Sequence, residues 1–250
     1  VCSTGVIGVN LPMDRIAEGA KLAVAALSRE GGDDAARAIM TTDTVDKQVA
    51  VEVEIEGKTV CIGGMCKGSG MIEPNMATML GFITTDADVH PKALDQALRE
   101  AVEVSFNRVV VDGDRSTNDT VILMASGAAG NQTLTPYHPQ WQYFVDALTM
   151  VCLELGKKMV LDGEGATKFV TVTVKGARTV EDAQMAARAV SKSALVKTSW
   201  FGLDPNWGRV IAAVGYSGAD VDDQKAQIFY GDICAYDQGR VADKTLLKAM

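Results

Sequence analysis

The sequence is poor in the residues that most metal sites and hydrolases use. Only two histidines, His90 and His138, occur in 250 residues, and neither has the neighbours of a Ser/His/Asp set. The five cysteines are scattered, without a Cys-x-x-Cys pair or a histidine placed to complete a zinc site. We therefore expect no metal and reduced, buried thiols. A disulfide between Cys61 and Cys66, which flank a Gly-Gly turn, stays open.

Positive charge and long apolar runs are also lacking. Lys and Arg number 24 against 32 Asp and Glu, so the formal net charge is −8. Nucleic acids and anionic membranes bind basic surfaces, and a membrane helix needs about 20 predominantly apolar residues in a row. The sequence therefore predicts no nucleic acid and no membrane as a partner. With 47% apolar residues, the chain suffices for one large or two small domains.

One stretch, Lys67 to Leu80, has the composition of a reactive loop that leads into a strand. Gly68 and Gly70 allow a substrate or a peptide carbonyl to approach the backbone closely. The small side chain of Ala77 leaves its carbonyl accessible to attack. Thr78 begins the apolar segment that follows, and we interpret it as a nucleophile.

A threonine hydroxyl needs a base, and neither histidine is placed to supply one. Cleavage of the Ala77–Thr78 bond would give Thr78 an α-amine, whose ordinary pKa of about 7.7 to 8.0 is closer to neutrality than the lysine value of about 10.4. Positive charge on Lys67 is expected to lower the pKa of this amine further. Cleavage into chains 1–77 and 78–250 is therefore the hypothesis that would supply the missing base.

Hydrophobic periodicity predicts an α/β fold, a layered sandwich with mixed or antiparallel sheets. Alternation over 49–55, followed by 59–62, predicts a hairpin, and the apolar segment 79–83 predicts a central strand that begins at Thr78. The helix at 14–30 is expected to pack through its apolar face. Further strands are predicted at 109–111, 121–124, 169–174, 228–230 and 233–236, and helices at 14–30, 33–40, 91–104, 137–158, 180–193, 206–214 and 243–250.

Two polar loops invite binding-site interpretations that their spacing rejects. The loop 112–119 lacks the EF-hand glycine and glutamate, because Thr117 and Leu123 occupy those positions. It is expected to support the site by hydrogen bonds. The Gly-rich loop 162–168 lacks the Walker spacing, and its two glycines instead flank the carboxylate of Glu164.

Five segments, in the same order along the chain, resemble the ornithine acetyltransferase family, the bifunctional glutamate N-acetyltransferases of arginine biosynthesis. The stretch 67–80 resembles the family's self-cleavage segment. The resemblance implies a fold grouped with the aminopeptidases related to DmpA, layered like the N-terminal-nucleophile hydrolases. It also implies that a whole family member extends beyond both ends of this sequence. The other four segments are 3–8, 111–120, 162–168 and 201–209.

The resemblance implies an enzyme that moves acetyl from N2-acetyl-L-ornithine to L-glutamate through an acetylated Thr78. It assigns an oxyanion hole to Thr4 and Gly5, where the residues alone favour a simple turn cap. No cofactor is implied, and acetyl-CoA stays open as a second donor.

Three further residues are expected at the substrate. The resemblance places Thr44 near bound substrate. Lys67 is expected to bind a substrate carboxylate, and Glu164 the side-chain ammonium of ornithine. Glutamate would bring its own carboxylate towards Glu164, and how the site tolerates this stays open.

The resemblance further implies that the α and β chains produced by self-cleavage assemble into a heterotetramer or a higher oligomer. A cytoplasmic location is expected, or the mitochondrial matrix if the source is eukaryotic. Two alternatives stay open. An N-terminal-threonine aminopeptidase or amidase would hand the acyl group to water, and a catalytically inactive fragment would not turn over at all.

Overall fold

The computed structural model describes residues 2–73, 79–114 and 116–241, and the chain divides into two compact units. The first unit is Val1–Ala166 and the second is Thr167–Met250. All of the predicted site residues belong to the first unit. In the described part of the chain, no helix has the length and apolar content that a bilayer crossing requires.

A four-stranded mixed sheet forms the frame of the first unit. Its strands, β1 (Lys47–Ile55), β2 (Lys58–Lys67), β3 (Leu80–Thr85) and β4 (Thr120–Ala125), lie in the order β1-β2-β3-β4. The predicted hairpin is confirmed, because β1 and β2 pair antiparallel through a turn in which Glu56 and Gly57 both have positive φ angles. The predicted central strand is present, since β3 pairs antiparallel with β2 and parallel with β4, but it begins at Leu80 and not at Thr78, because Met79 precedes the strand.

Four helices belong to this unit: α1 (Met13–Ala25), α2 (Gly32–Ala38), α3 (Pro91–Val104) and α4 (Trp141–Leu161). Helix α4 packs on β1 and β2, and α3 packs on α4 and β4. The predicted face of α4 is buried throughout, from Trp141 to Leu155. A β-carbon added to Gly64 would lie 3.0 Å from Leu155 Cδ1 and 3.2 Å from Val151 Cγ1. Glycine at this position therefore lets the helix approach the sheet closely.

The second unit contains α5 (Val180–Lys192), α6 (Ala194–Phe201), α7 (Trp207–Gly215) and a sheet of β5 (Gln227–Tyr230), β6 (Ile233–Asp237) and β7 (Arg240–Val241). Its buried centre is formed by Val190, Val196 and Ala213. The predicted late hairpin is confirmed by the antiparallel pairing of β5 with β6. The sequence did not predict α6.

Some predicted elements are wrong. Residues 109–111 are not a strand: they follow a 3-10 turn at Phe106–Arg108, and the amide of Val111 donates to the Ile72 carbonyl at 2.7 Å outside any strand ladder. Residues 169–174 alternate like a strand but have no regular secondary structure. A hydrophobic pattern identifies a face and not the neighbouring strand that must supply the hydrogen bonds. The helix predicted at 243–250 lies outside the described residues.

The packing role predicted for the first helix is also contradicted. Helix α1 ends at Ala25, has no buried residue, and leaves Val24 67% exposed. Its apolar residues recur at helical spacing, but among the described residues none of them is buried, and only Ile16 is partly covered. The disulfide between Cys61 and Cys66 is not formed. The two residues lie five apart on β2, so they point to opposite faces, one exposed and one buried.

Candidate active site

The reactive stretch begins at the end of one strand and leads to the start of the next. Lys67 is the last residue of β2 and pairs with Leu80, the first residue of β3. The predicted cleavage residues Ala77 and Thr78 lie outside the described residues. The structure describes the chain again from Met79, one residue after the predicted nucleophile.

Lys67 is a buried cation, only 3% exposed. Burial lowers the pKa of its ammonium, while the carboxylates of Asp43, Asp119 and Glu164 act in the opposite direction and Lys47 adds to the lowering. No described residue donates to, accepts from or ion-pairs with this ammonium. A buried ammonium without a hydrogen-bond partner is costly, and the three carboxylates act on it only from beyond ion-pair distance, so the position favours a direct bond to an anionic ligand.

Met79 is held on both sides by the loop that precedes β4. Its amide donates to Asp119 Oδ1 at 2.6 Å, and its carbonyl accepts from the amide of Thr120 at 3.0 Å. Burial raises the pKa of Asp119 to about 6, although the Met79 hydrogen bond and Lys67 both act to lower it. Oδ2 of Asp119 is buried without a hydrogen-bond partner among the described residues. The sequence predicted a supporting role for this loop but did not single out Asp119.

The same acidic loop also holds the other end of the reactive stretch. The carboxylate of Asp112 accepts from the amides of Met71 at 2.6 Å and Ile72 at 3.0 Å. Met71 has a φ of 56°, a left-handed conformation that needs such support in a residue with a side chain. The supporting role predicted for the loop agrees with these contacts. Within the described ranges, no three His, Cys, Asp or Glu residues are grouped to hold a metal ion.

The predicted oxyanion turn lies against this loop. The side-chain amide of Asn118 donates to the carbonyl of Ser3, and the next residue, Asp119, accepts from Met79. Thr4 is half-buried and Gly5 is exposed. The turn and the residue before β3 are therefore bound by two adjacent residues of one loop, Asn118 and Asp119. The oxyanion role of Thr4 and Gly5 stays a prediction.

Thr44 and Glu164 lie on two segments that meet at Asp162. The amide of Thr44 donates to the Asp162 carboxylate at 3.0 Å, and its hydroxyl donates to the same group. Ser69 Oγ donates to the carbonyl of Asp162, and the amide of Glu164 donates to the carbonyl of Ser69, both at 2.8 Å. A β-carbon added to Gly70 would lie 2.6 Å from Cδ of Glu164. Thr44 therefore contacts Asp162 directly, and Glu164 is held two residues further on by the backbone of Ser69.

A buried ion network that the sequence reasoning missed lies behind these residues. Lys47 is fully buried, and its ammonium bonds to Asp43 at 2.7 Å and to Asp162 at 2.5 Å. Asp43 also accepts from the amide of Gly68 at 2.7 Å. Burial acts to raise the pKa of both carboxyl groups, but hydrogen bonds from Lys47 and nearby polar groups outweigh it and lower both values.

One signal in the sequence marks this network. Lys47 has the same parity as Val49, Val51, Val53 and Ile55, so it occupies an inward position of an alternating strand. A lysine in such a position is rarely buried without a charged partner. Of its two partners, Asp43 is only four residues away, whereas Asp162 is 115 residues away and could not be identified from the local sequence.

Comparison with models of protein families identifies the family of this chain. The model of the ArgJ family matches residues 1–250. The chain belongs to the ArgJ family. This confirms the resemblance to the ornithine acetyltransferases that the five segments carry.

Three ArgJ relatives illustrate the similarity, and each carries the name arginine biosynthesis bifunctional protein ArgJ. The protein from Symbiobacterium thermophilum is 59% identical over 233 residues, which are 93% of this chain and 58% of that protein. The protein from Geobacter sulfurreducens is 55% identical over 233 residues, with 93% and 59% covered. The protein from Bacillus subtilis is 50% identical over 236 residues, with 94% and 58% covered. The chain therefore spans slightly less than three fifths of the length of these relatives.

A solved ArgJ structure gives the same result for the fold. The crystal structure of ArgJ from Bacillus halodurans matches with a TM-score of 0.65 at 45% sequence identity. The match covers 67% of this chain and 80% of that one. It confirms the predicted fold class, a layered α/β arrangement with a mixed sheet.

Proposed function

We propose that this chain is part of an acetyltransferase of arginine biosynthesis that moves acetyl from N2-acetyl-L-ornithine to L-glutamate. The single observation that carries the proposal is Lys67, a buried cation without a hydrogen-bond or ion-pair partner among the described residues, close enough to Glu164 for that carboxylate to act on its pKa. An amino acid with a second amine offers a carboxylate to the one and an ammonium to the other. The name that the relatives share, arginine biosynthesis bifunctional protein, supports this pathway.

The enzyme first cleaves itself. Oγ of Thr78 attacks the carbonyl of Ala77, and the acyl chain moves from nitrogen to oxygen as the Ala77–Thr78 amide breaks. Water then hydrolyses the resulting ester. The products are chain 1–77, with a new carboxylate, and chain 78–250, with a free α-amine on Thr78.

Turnover uses the same hydroxyl. The α-amine of Thr78 takes the proton of Oγ, which attacks the acetyl carbonyl of N-acetylornithine. The hydroxyl of Thr4 and the amide of Gly5 stabilise the oxyanion, and the proton passes to ornithine as it leaves. The amine of glutamate then attacks the acetyl-Thr78 ester. N-acetylglutamate leaves, and the proton returns to Oγ.

Substrate recognition follows from the charges around the site. Lys67 binds the substrate α-carboxylate, Glu164 binds the side-chain ammonium of ornithine, and Thr44 contacts the bound substrate. The reaction needs no cofactor. Acetyl-CoA as a further donor is tested by supplying it in place of N-acetylornithine and following the formation of N-acetylglutamate.

The two chains stay together after cleavage. Strand β2 ends at Lys67 and β3 begins at Leu80, so the cut between 77 and 78 leaves six residue pairs of the sheet on opposite sides of it. We propose that the joined α and β chains assemble into a heterotetramer or a higher oligomer, which light scattering measures. We place the reaction in the cytoplasm, as expected for arginine-pathway enzymes of bacteria like these relatives.

One assay tests the function against its main alternative. The complete gene product is mixed with N-acetylornithine and glutamate, and the products are separated. Acetyl transfer gives N-acetylglutamate, whereas an aminopeptidase or amidase gives free acetate. Substitution of Thr78→Ala must abolish either product. Transfer that persists in Thr78→Ala would refute the proposed nucleophile.

A further inference from the structure

Building on the proposed function, we propose that Lys47, Asp43 and Asp162 are positioning residues that fix the substrate-binding segments, and that Asp162 makes the Thr44 hydroxyl a hydrogen-bond acceptor for a substrate N–H. No sequence feature assigns this role. The three residues reach the substrate only through others, so they are not catalytic residues.

The network connects three segments that are distant in sequence. Asp43 is bound to Lys47 and to the amide of Gly68, next to the proposed carboxylate-binding Lys67. Asp162 is bound to Lys47 and Thr44 and lies two residues before Glu164. One buried ammonium therefore sets the distance between the groups proposed to bind the two ends of ornithine. Because its partners are charged and buried, the arrangement has few alternatives at similar energy.

The polarity of Thr44 follows from its partner. An ionised carboxylate only accepts hydrogen bonds, and a threonine hydroxyl has a single proton to donate. The lowered pKa of Asp162 keeps its carboxylate ionised at neutral pH. The hydroxyl proton of Thr44 is thus committed to Asp162, and its remaining lone pairs accept. Thr44 is exposed, so these lone pairs are available to the Nα–H that both N-acetylornithine and glutamate carry.

A double-mutant cycle between Asp162 and Thr44 tests the proposal. Asp162→Asn removes the charge, Thr44→Val removes the hydroxyl, and Thr44→Ser restores it. Both valine and asparagine keep the approximate volume, and exposed Thr44 carries little of the core. The measurements are the affinity for N-acetylornithine by calorimetry, and KM and kcat for acetyl transfer.

The predicted result is strong coupling. Each single variant weakens binding and raises KM by about 10-fold, the double variant is no worse than either single one, and Thr44→Ser recovers most of the loss. Effects on kcat stay smaller than effects on KM. The proposal would be overturned if the affinity losses of the two single variants multiplied in the double variant. It would also be overturned if Thr44→Val bound N-acetylornithine as tightly as wild type, or if Thr44→Ser did not recover the affinity.

A matched pair in the second unit controls for general destabilisation. Thr179 Oγ donates to the carboxylate of Asp182 at 2.8 Å, the same chemistry, on a unit that holds none of the proposed site residues. Asp182→Asn and Thr179→Val are expected to lower the melting temperature and to leave KM unchanged. If KM rose equally in these control variants, the effect of Asp162→Asn would be explained by a loss of stability and not by a role at the site.

Different results would refute the role of the Lys47 network and the proposed function. Wild-type protein that binds N-acetylornithine but forms no N-acetylglutamate refutes the function, while the cycle in binding affinity still decides the network. Wild-type protein that binds neither substrate overturns both.

Discussion

Three carboxyl groups of the candidate site, those of Asp43, Asp162 and Asp119, have pKa values that are shifted in opposite directions. Burial opposes ionisation of Asp43 and Asp162, yet hydrogen bonds from Lys47 and its neighbours lower the pKa of both. Burial of Asp119 wins over its single hydrogen bond and raises its pKa to about 6. The first two groups therefore stabilise the fold in their charged form, and the third does so in its protonated form.

The raised pKa of Asp119 predicts a pH-dependent loss of stability. The folded state holds this proton more tightly than the unfolded chain, whose value is 3.8, so the free energy of unfolding contributed by Asp119 falls as pH rises from about 4 to about 6. Asp119→Asn keeps the acceptor for the Met79 amide and removes the charge. It is expected to be more stable than wild type at pH 7, by about 1 kcal/mol after allowance for partial exposure, and not at pH 4.

Denaturant unfolding of both proteins across this pH range measures the effect. The control is Asp114→Asn, which removes an exposed carboxyl group from the same loop. A difference between wild type and Asp119→Asn that does not change with pH would contradict the assigned shift.

Glu164 is expected to discriminate between the two substrates. In the proposed function its carboxylate attracts the ornithine ammonium and repels the side-chain carboxylate of glutamate. Glu164→Gln should therefore raise KM for N-acetylornithine by about 10-fold and leave KM for glutamate unchanged or lower. Steady-state kinetics with each substrate varied in turn measures both values. Equal increases for the two substrates would show that Glu164 does not bind the ornithine side chain.

At the scale of the elements, local patterns predicted what depends on local sequence. The turn at Gly57, the proline that begins α3 at Pro91, and the apolar face of α4 all have causes within a few residues, and all are confirmed. The strand predicted at 109–111 failed because its partner could not be read from its own sequence. The packing face assigned to α1 failed for the same reason.

The candidate site could be predicted only in part, because some of its contacts also join segments that are distant in sequence. A cation in a glycine-rich loop suggested Lys67, and the family resemblance supplied Thr44 and Glu164. The network that holds them together was not predicted, because Thr44 and Asp162 are 118 residues apart and meet only when the sheet and α4 have formed. Pairings over such distances depend on topology and leave little trace in a local pattern.

The close packing of α4 on β2 predicts contrasting effects for two adjacent glycines. Gly64→Ala brings a methyl group to 3.0 Å from Leu155, 3.2 Å from Val151 and 3.3 Å from Ile83, so it should destabilise the first unit by about 1 to 3 kcal/mol. Gly63→Ala meets Ala50 Cβ at 3.8 Å, an ordinary contact, and should have a much smaller effect. Thermal unfolding of the two variants compares them directly. Equal destabilisation would argue against the close helix–sheet contact.

At the scale of the whole molecule, the proposed cut between residues 77 and 78 falls between β2 and β3, so we expect that cleavage does not release the chains. The pairing of β2 with β3 and the ion pair between Lys47 and Asp162 both join chain 1–77 to chain 78–250. The two chains should elute together from a sizing column in buffer and separate only in denaturant. Separation in buffer would contradict the arrangement of the sheet.

The central claim is that one hydroxyl both cuts the chain and carries the acetyl group. Intact-mass measurement of the 26.5 kDa chain and of the complete gene product, before and after incubation with N-acetylornithine, tests it most directly. The account predicts cleavage between Ala77 and Thr78, one acetyl group on the fragment that begins at Thr78, and an uncut, unacetylated Thr78→Ala variant. A gene product that stays in one piece, or a Thr78→Ala variant that still splits, would contradict it.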